Sequence, residues 1–448
     1  MDHCSSKRQR KEEEVSDGSE SENGDEDTTL LHVRRCLRTF QLYRQYAARV
    51  AIQMRLQGQQ VPEAHLDLID RSSFEARAVE LEKCAAANAD FVESCAEYVK
   101  EEWWPRCMGC TYEDAGANLS DTIDADDEAG LNTFEMTLSS MVREWSSEAV
   151  AARAGTFKPI VDALTSHFPT AATKKYTHKV LVPGSGLGRL GLDCTAAGFD
   201  VEVNELDVLQ VLVADFILTQ GDASEPFELY PFFSEPCNHA SWEDRVRVVH
   251  VPDVTPFELR GWRPQADNDS SDDHVDFAPY ETAVVDFNAL YGEQAEVQSA
   301  AGDESGSQAD EDSESGTASN AGTFDAVAGS FFVDTSPMVF EYIKAMRRIL
   351  KPGGLWCNLG PLEWAWGSHG EPAWALLAAG SGKGDKSDMR LAGAVDLAWP
   401  DLKAAIVRAG FEFLEEEIRE NCRYKGDTKS LVQFEFRCIY FVARRLQD

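Results

Sequence analysis

From Leu30 the chain sets apolar residues three and four apart with arginines between them, in LLHVRRCLRTFQLYRQYAARVAIQMRL (30–56). That spacing gathers the apolar side chains on one face of a helix. The stretches SSFEARAVELEKCAAANADFVESCAEYVKEEW (72–103) and TFEMTLSSMVREWSSEAVAARAGTFKPIVDAL (133–164) repeat the pattern. Residues 30–170 are therefore expected to be helical and without strands. Past residue 170 the period changes. HKVLVPGSG (178–186), GFDVEVNELD (198–207), VRVVHVPDV (246–254), FDAVAGSFFVD (324–334) and KPGGLWCNLGP (351–361) are short apolar runs, read as five successive strands. Helical stretches such as VLQVLVADFILTQ (208–220) and MVFEYIKAMRRIL (338–350) stand between them, and WPDLKAAIVRAGFEFLEEE with FRCIYFVARR adds a helix and two strands. Strands alternating with helices predict an α/β fold with a mostly parallel sheet covered on both faces. No internal repeat is visible.

Length and charge refine this picture. The 448 residues suffice for a large core, and the net charge of -36 disfavours nucleic acid and anionic membrane surfaces as partners. Much of that charge falls in three stretches poor in apolar residues. These are an N-terminal tail over 1–29 and two acidic segments at 263–276 and 293–322, all expected to be solvated. No run of about 18 apolar residues offers a membrane span. The N-terminus lacks the apolar core of a secretion signal, so a cytoplasmic protein with reduced thiols is expected. Lys7 to Lys11, KRQRK, leaves a nuclear address open. Cys107 and Cys110 form a lone CxxC with no second ligand pair, so no metal is assigned. Trp103 and Trp104 read as core residues.

The candidate chemistry begins in VLVPGSGLGRLGLD (180–193), where an apolar run breaks into Gly184, Gly186 and Gly188. A glycine turn between a strand and a helix lets backbone approach a nucleotide closely. Glu205 ends the second strand about 20 residues on, where an acid accepts hydrogen bonds from ribose hydroxyls. The KPGG turn chemistry of Lys351 to Gly354 is ordinary, and only its position after the fourth βα unit is informative.

Taken in order, VLVPGSGLGRLG, NELD, YPFF with VPDV downstream, FFVDT and ILKPGGLWCNLGP resemble the carnosine N-methyltransferase family, over roughly residues 30–448. MVREWSSE (141–148) resembles the family's segment just before the core. The resemblance implies a class I, Rossmann-like methyltransferase domain over 171–448, preceded by a helical region, with S-adenosyl-L-methionine as cofactor. It implies that Gly184, Gly186 and Gly188 hold the methionine part of the cofactor, Glu205 its ribose and Arg143 its carboxylate. Asp286 and Phe287, in VVDFNALY, would lie beside the adenine. Asp334 would be the catalytic residue. A carboxylate that accepts the hydrogen of one imidazole nitrogen fixes the tautomer and aims the other nitrogen's lone pair at the methyl group. The alternative for Asp334 is a cap on the next helix, since DTSP carries N-cap chemistry.

The chain departs from the family on the substrate side. Ala365 stands in place of a histidine, and Phe434 and Phe436 in place of tyrosines, while Ser140 replaces a glutamine on the cofactor side. His369 is a candidate substitute for the lost histidine, and Tyr424 remains as a substrate contact. The resemblance thus implies methyl transfer to an imidazole nitrogen of a histidine-containing dipeptide, carnosine to anserine. A different imidazole or peptidyl-histidine acceptor stays open, as do a nicotinamide-dependent oxidoreductase and a non-catalytic cofactor-binding module. The expected partner is a small molecule or peptide bearing an imidazole, and a homodimer is compatible with the sequence.

Overall fold

The apolar stripes of the N-terminal half fold as long antiparallel helices. The computed structural model describes residues 26–112, 123–260, 279–293, 320–364 and 395–447. Helix α1 (Glu26–Gln60) starts inside the stretch expected as tail and packs along α2 (Ser72–Tyr98). A π-helical turn, Val99–Trp103, leads into α3 (Trp104–Met108), and both tryptophans there are buried. Helix α4 (Ala125–Trp145) opens on a reciprocal cap, with Asp127 N–H donating to Asp124 (2.8 Å) and Asp124 N–H donating to Asp127 (3.2 Å).

The third helical stretch was expected to be continuous and is not. It breaks at Ser146, whose backbone is extended, and resumes as α5 (Val150–Thr156) and α6 (Lys158–His167). The break is held from outside the helix. Arg153 donates to the carbonyls of Arg143 (3.0 Å) and Ser146 (2.9 Å), and Asp253 N–H donates to that of Trp145 (2.8 Å). These partners satisfy end carbonyls that a helix otherwise leaves open.

The main sheet holds β1 (Lys179–Pro183), β2 (Asp200–Glu205), β5 (Tyr280–Val284), β6 (Phe324–Ser330), β7 (Leu350–Gly360), β8 (Phe411–Arg423) and β9 (Glu435–Arg445) in the order β5-β2-β1-β6-β7-β9-β8. Only β9 runs against the others, pairing antiparallel with both β7 and β8. The third apolar run is a correction. Val249–Val251 is β4, and it pairs antiparallel with β3 (Phe227–Leu229) in a separate two-stranded sheet. The third place in the parallel set goes to β5, beside β2. A three-residue strand satisfies too few backbone groups to hold a central place, and Phe227 gives β4 a closer partner.

Alternation along β1 shows how the sheet is covered. Val180 and Val182 pack with α6 and with α7 (Arg189–Ala196), while Leu181 packs on the opposite face. That face is closed by α11 (Phe287–Tyr291), α12 (Val339–Ile349) and α13 (Trp399–Arg408). The short helices α9 (Trp242–Arg245) and α10 (Pro256–Leu259) flank the small sheet. Helix α8 (Val208–Gln220) is apolar nearly all round, because it lies between the sheet and the N-terminal helices. Phe91 of α2 meets Phe216 of α8 at 5.6 Å and Phe227 of β3 at 5.2 Å. One hydrophobic core therefore runs from α1 through α8. Among the described residues, no helix is long and apolar enough to cross a membrane.

Candidate functional site

Parallel strands deliver their carboxyl ends, and the loops after them, to one edge of the sheet. Four such loops carry the candidate residues here. After β1 the chain turns through Gly184, Gly186 and Gly188, all in the left-handed region (φ 59°, 58° and 82°). None of the three has room for a side chain, and a Cβ on Gly186 would lie 2.9 Å from Glu144 Oε1. A Cβ on Gly184 would lie 2.6 Å from the Phe332 ring, and one on Gly188 would lie 2.5 Å from the Tyr280 hydroxyl.

Glu205 closes β2 and reaches back across this turn. Its Oε2 accepts from Gly186 N–H (2.8 Å), and its Oε1 accepts from the N–H groups of Leu206 (2.9 Å) and Asp207 (3.0 Å). Burial raises its pKa, and the three backbone donors work in the opposite direction. Oε1 is filled by its two donors, and Oε2 keeps acceptor capacity for a hydroxyl.

Arg143 arrives from the end of α4. Its guanidinium lies 4.3 Å from the centre of the Tyr424 ring, and its Nη2 would be 3.7 Å from a Cβ on Gly186. Its Nε is buried and has no hydrogen-bond partner. A buried N–H of a cation with nothing to donate to is costly, and here it sits at the lip of the glycine turn. An anionic ligand group bound at the turn would satisfy it.

Asp286 caps α11, accepting from Ala289 N–H (3.0 Å). Phe287 is 4% exposed and packs edge-on against Phe332 (5.2 Å) and Tyr342 (4.9 Å). It therefore borders the turn from inside the core.

Asp334 was expected to end the fourth strand. It lies four residues beyond Ser330, in the 3-10 turn Val333–Thr335, and it is buried. It caps no helix: α12 starts after Met338 without a side-chain cap. Its Oδ2 instead accepts from Glu363 N–H (2.9 Å), in the loop after β7. Burial raises its pKa above the ordinary carboxylate value, and the Glu363 N–H pulls the other way.

Strain surrounds that contact. Phe331 (φ 55°) and Trp364 (φ 40°) are bulky residues in the left-handed region, one in each of the two joined loops. Such outliers persist where the surroundings over-determine them, and they cluster at working sites. The Phe331 ring packs on Tyr424 (4.9 Å) and Phe436 (5.9 Å), which ties the Asp334 loop to the Arg143 contact. Phe434 is elsewhere, half exposed with Lys425 over its ring (4.9 Å). His369 and Ala365 lie outside the described residues, as do residues 263–276 and most of 293–322.

Sequence reasoning missed Glu144. It is 1% exposed, and its Oε2 accepts from Leu187 N–H (3.1 Å) and Arg189 N–H (3.4 Å) at the start of α7. Its Oε1 takes Arg143 Nη2 at 2.5 Å. A signal existed: an acid in the last turn of a helix opposes the helix dipole, so it implies a tertiary partner.

With this geometry in hand, the comparisons with known proteins are specific. The sequence profile described as carnosine N-methyltransferase matches residues 120–447. Carnosine N-methyltransferase of Schizosaccharomyces pombe is 26% identical over 416 residues, covering 92% of this chain and 95% of that protein. Carnosine N-methyltransferase of Rattus norvegicus is 27% identical over 321 residues, 70% of this chain, and the match spans 65% of the rat protein's length. Among solved structures, Haemonchus contortus phosphoethanolamine N-methyltransferase 2 in complex with S-adenosyl-L-methionine overlays with a TM-score of 0.31 at 10% identity, over 65% of this chain and 53% of that one.

Proposed function

The chain belongs to the carnosine N-methyltransferase family and is by that membership an N-methyltransferase, and from this premise we propose that it transfers a methyl group from S-adenosyl-L-methionine to an imidazole nitrogen of a histidine-containing dipeptide, carnosine to anserine. The observation that carries the reading is the meeting of two loops on adjacent strands. β1 and β6 are paired, and the glycine turn after β1 touches the Asp334 loop after β6 through Gly184 and Phe332. On this reading the glycine turn is the donor cradle and Asp334, on the neighbouring loop, is the carboxylate that orients the imidazole.

The residues present fit the cofactor, as the orphaned Arg143 Nε and the side-chain-free turn at Gly186 argue. Arg143 would hold its methionine carboxylate, Glu205 its ribose hydroxyls, and Gly184, Gly186 and Gly188 would admit the chain between them. Asp286 and Phe287 would border the adenine. When bound, the cofactor supplies an electrophilic sulfonium methyl. Asp334, anchored through Oδ2 by Glu363 N–H, accepts the hydrogen of one ring nitrogen of the acceptor. The other nitrogen then keeps its lone pair, so transfer occurs from a single tautomer. As the ring gains positive charge, the buried carboxylate beside it lowers the energy of that state. Tyr424 would offer the acceptor an aromatic face; its ring is held by Phe331 (4.9 Å) and packs against Arg143.

The test is methyl-labelled S-adenosylmethionine with carnosine, using wild type and Asp334→Ala. Labelled anserine from the wild type alone supports the reading. A wild type that binds S-adenosylhomocysteine yet labels neither carnosine nor any imidazole in a small-molecule extract overturns it. Label on another imidazole moves the acceptor, an outcome favoured by Phe436, which presents a ring without a hydroxyl where the Asp334 loop meets β9.

A further inference from the structure

The start of α7 already holds an anion of the protein's own. In dinucleotide-binding folds the N–H groups at this helix end receive a pyrophosphate, because the open N–H groups and the helix dipole both favour negative charge. Here the Glu144 carboxylate takes the N–H groups of Leu187 and Arg189 (3.1 and 3.4 Å). The position is fixed from several directions. Trp145 Nε1 donates to the Leu187 carbonyl (3.0 Å), and Arg189 donates to the Glu144 carbonyl (3.0 Å) and to Asp253 (2.6 Å). Glu144 also pairs with Arg143, so one guanidinium charge is already balanced while Nε stays unpartnered.

We propose that Glu144 is a specificity-determining residue that keeps phosphorylated adenine nucleotides out of the cofactor site. The inference rests on the cofactor reading above and deepens it. A phosphate brought to the turn would compete with a buried carboxylate for the same N–H groups, and two anions in a desolvated space repel strongly. A cofactor whose adenosine carries an amino-acid arm has no such group. Its single carboxylate would be held by Arg143, whose Nε is unpartnered. The loop thereby discriminates among adenosine compounds by charge placement, since every one of them offers the same adenine and ribose.

The experiment uses the full chain and calorimetry, with S-adenosylhomocysteine, ADP and inorganic phosphate as probes. Wild type, Glu144→Gln and Glu144→Ala are compared. Wild type is expected to bind S-adenosylhomocysteine without competition from millimolar phosphate and to bind ADP at least about 100-fold more weakly. Glu144→Gln keeps a carbonyl oxygen for the two backbone donors, removes the charge, and puts an NH2 group where Oε1 accepted from Arg143. It should gain roughly tenfold in ADP affinity, and phosphate should now compete. Glu144→Ala also opens space and should gain more. Circular dichroism and melting identify a variant that fails to fold, and Glu144→Gln then decides alone. Folded variants with no gain for ADP or phosphate, or a wild type that binds ADP as well as they do, would overturn the proposal. A wild type that does not bind S-adenosylhomocysteine would instead sink the cofactor reading, and the phosphate arm would still judge Glu144.

Discussion

Asp334 carries two opposed demands. The proposed chemistry needs it ionised, and burial disfavours the ion, so its pKa is raised in the fold. A raised carboxylate pKa means that the folded chain holds the proton more tightly than the unfolded chain. Its contribution to stability is present at low pH and is lost as pH rises through the folded value. Asp334→Asn removes the charge in the same shape. It should cut turnover by about 10²–10³ while leaving the melting temperature at neutral pH unchanged or higher, read by labelled methyl transfer and thermal melts. Turnover of the wild type should begin to fall, on acidification, above the usual carboxylate range, and a pH profile of kcat checks this. Arg143 is the matching candidate on the proposed cofactor side. Arg143→Met should weaken S-adenosylhomocysteine binding by about 10–100-fold in calorimetry, because a charge-assisted contact is lost.

At the scale of elements, the glycine turn is specified by what crowds it. Gly188 sits at φ 82° with the Tyr280 hydroxyl where a Cβ would go. Gly188→Ala should therefore destabilise by about 1–3 kcal/mol in denaturant melts. Adding Tyr280→Phe should recover only the steric share, since the backbone strain remains. The break after α4 depends on a second buried cluster. Asp253 pairs with Arg153 and with Arg189 (2.6 Å), and all three are nearly buried. Asp253→Ala leaves Arg153 without its acid and Arg189 with Asp193 alone (3.0 Å), and should cost about 3–5 kcal/mol. The same change should loosen the REW segment that reaches the glycine turn, and cofactor affinity should fall along with stability.

At the scale of the whole molecule, the N-terminal helices and the sheet share a core through α8. Leu212, Val213 and Ile217 are fully or almost fully buried there, against residues of α1 and α2. A chain beginning at residue 123 would expose that face. It should aggregate or melt well below the full chain, whereas the full chain should unfold in one cooperative transition by calorimetry. Two separate transitions would show that the helices fold apart from the sheet.

Much of this protein was legible in residues close together along the chain. The helical stripes, the switch to short strands, the glycine turn and Glu205 are local facts, and Glu205 spends two of its three bonds on the next two residues. Periodicity states which face of an element is buried, but not what buries it. That is why VRVVHVPDV read as a central strand and proved to be half of a small antiparallel pair. Tertiary structure alone decided the rest. Asp334 gained its anchor 29 residues away, at Glu363, and Glu144 found its N–H donors 43 residues away, at Leu187. The physical reason is common to both: a buried charge is compensated through space, and the residue that compensates it leaves no mark on the sequence beside it.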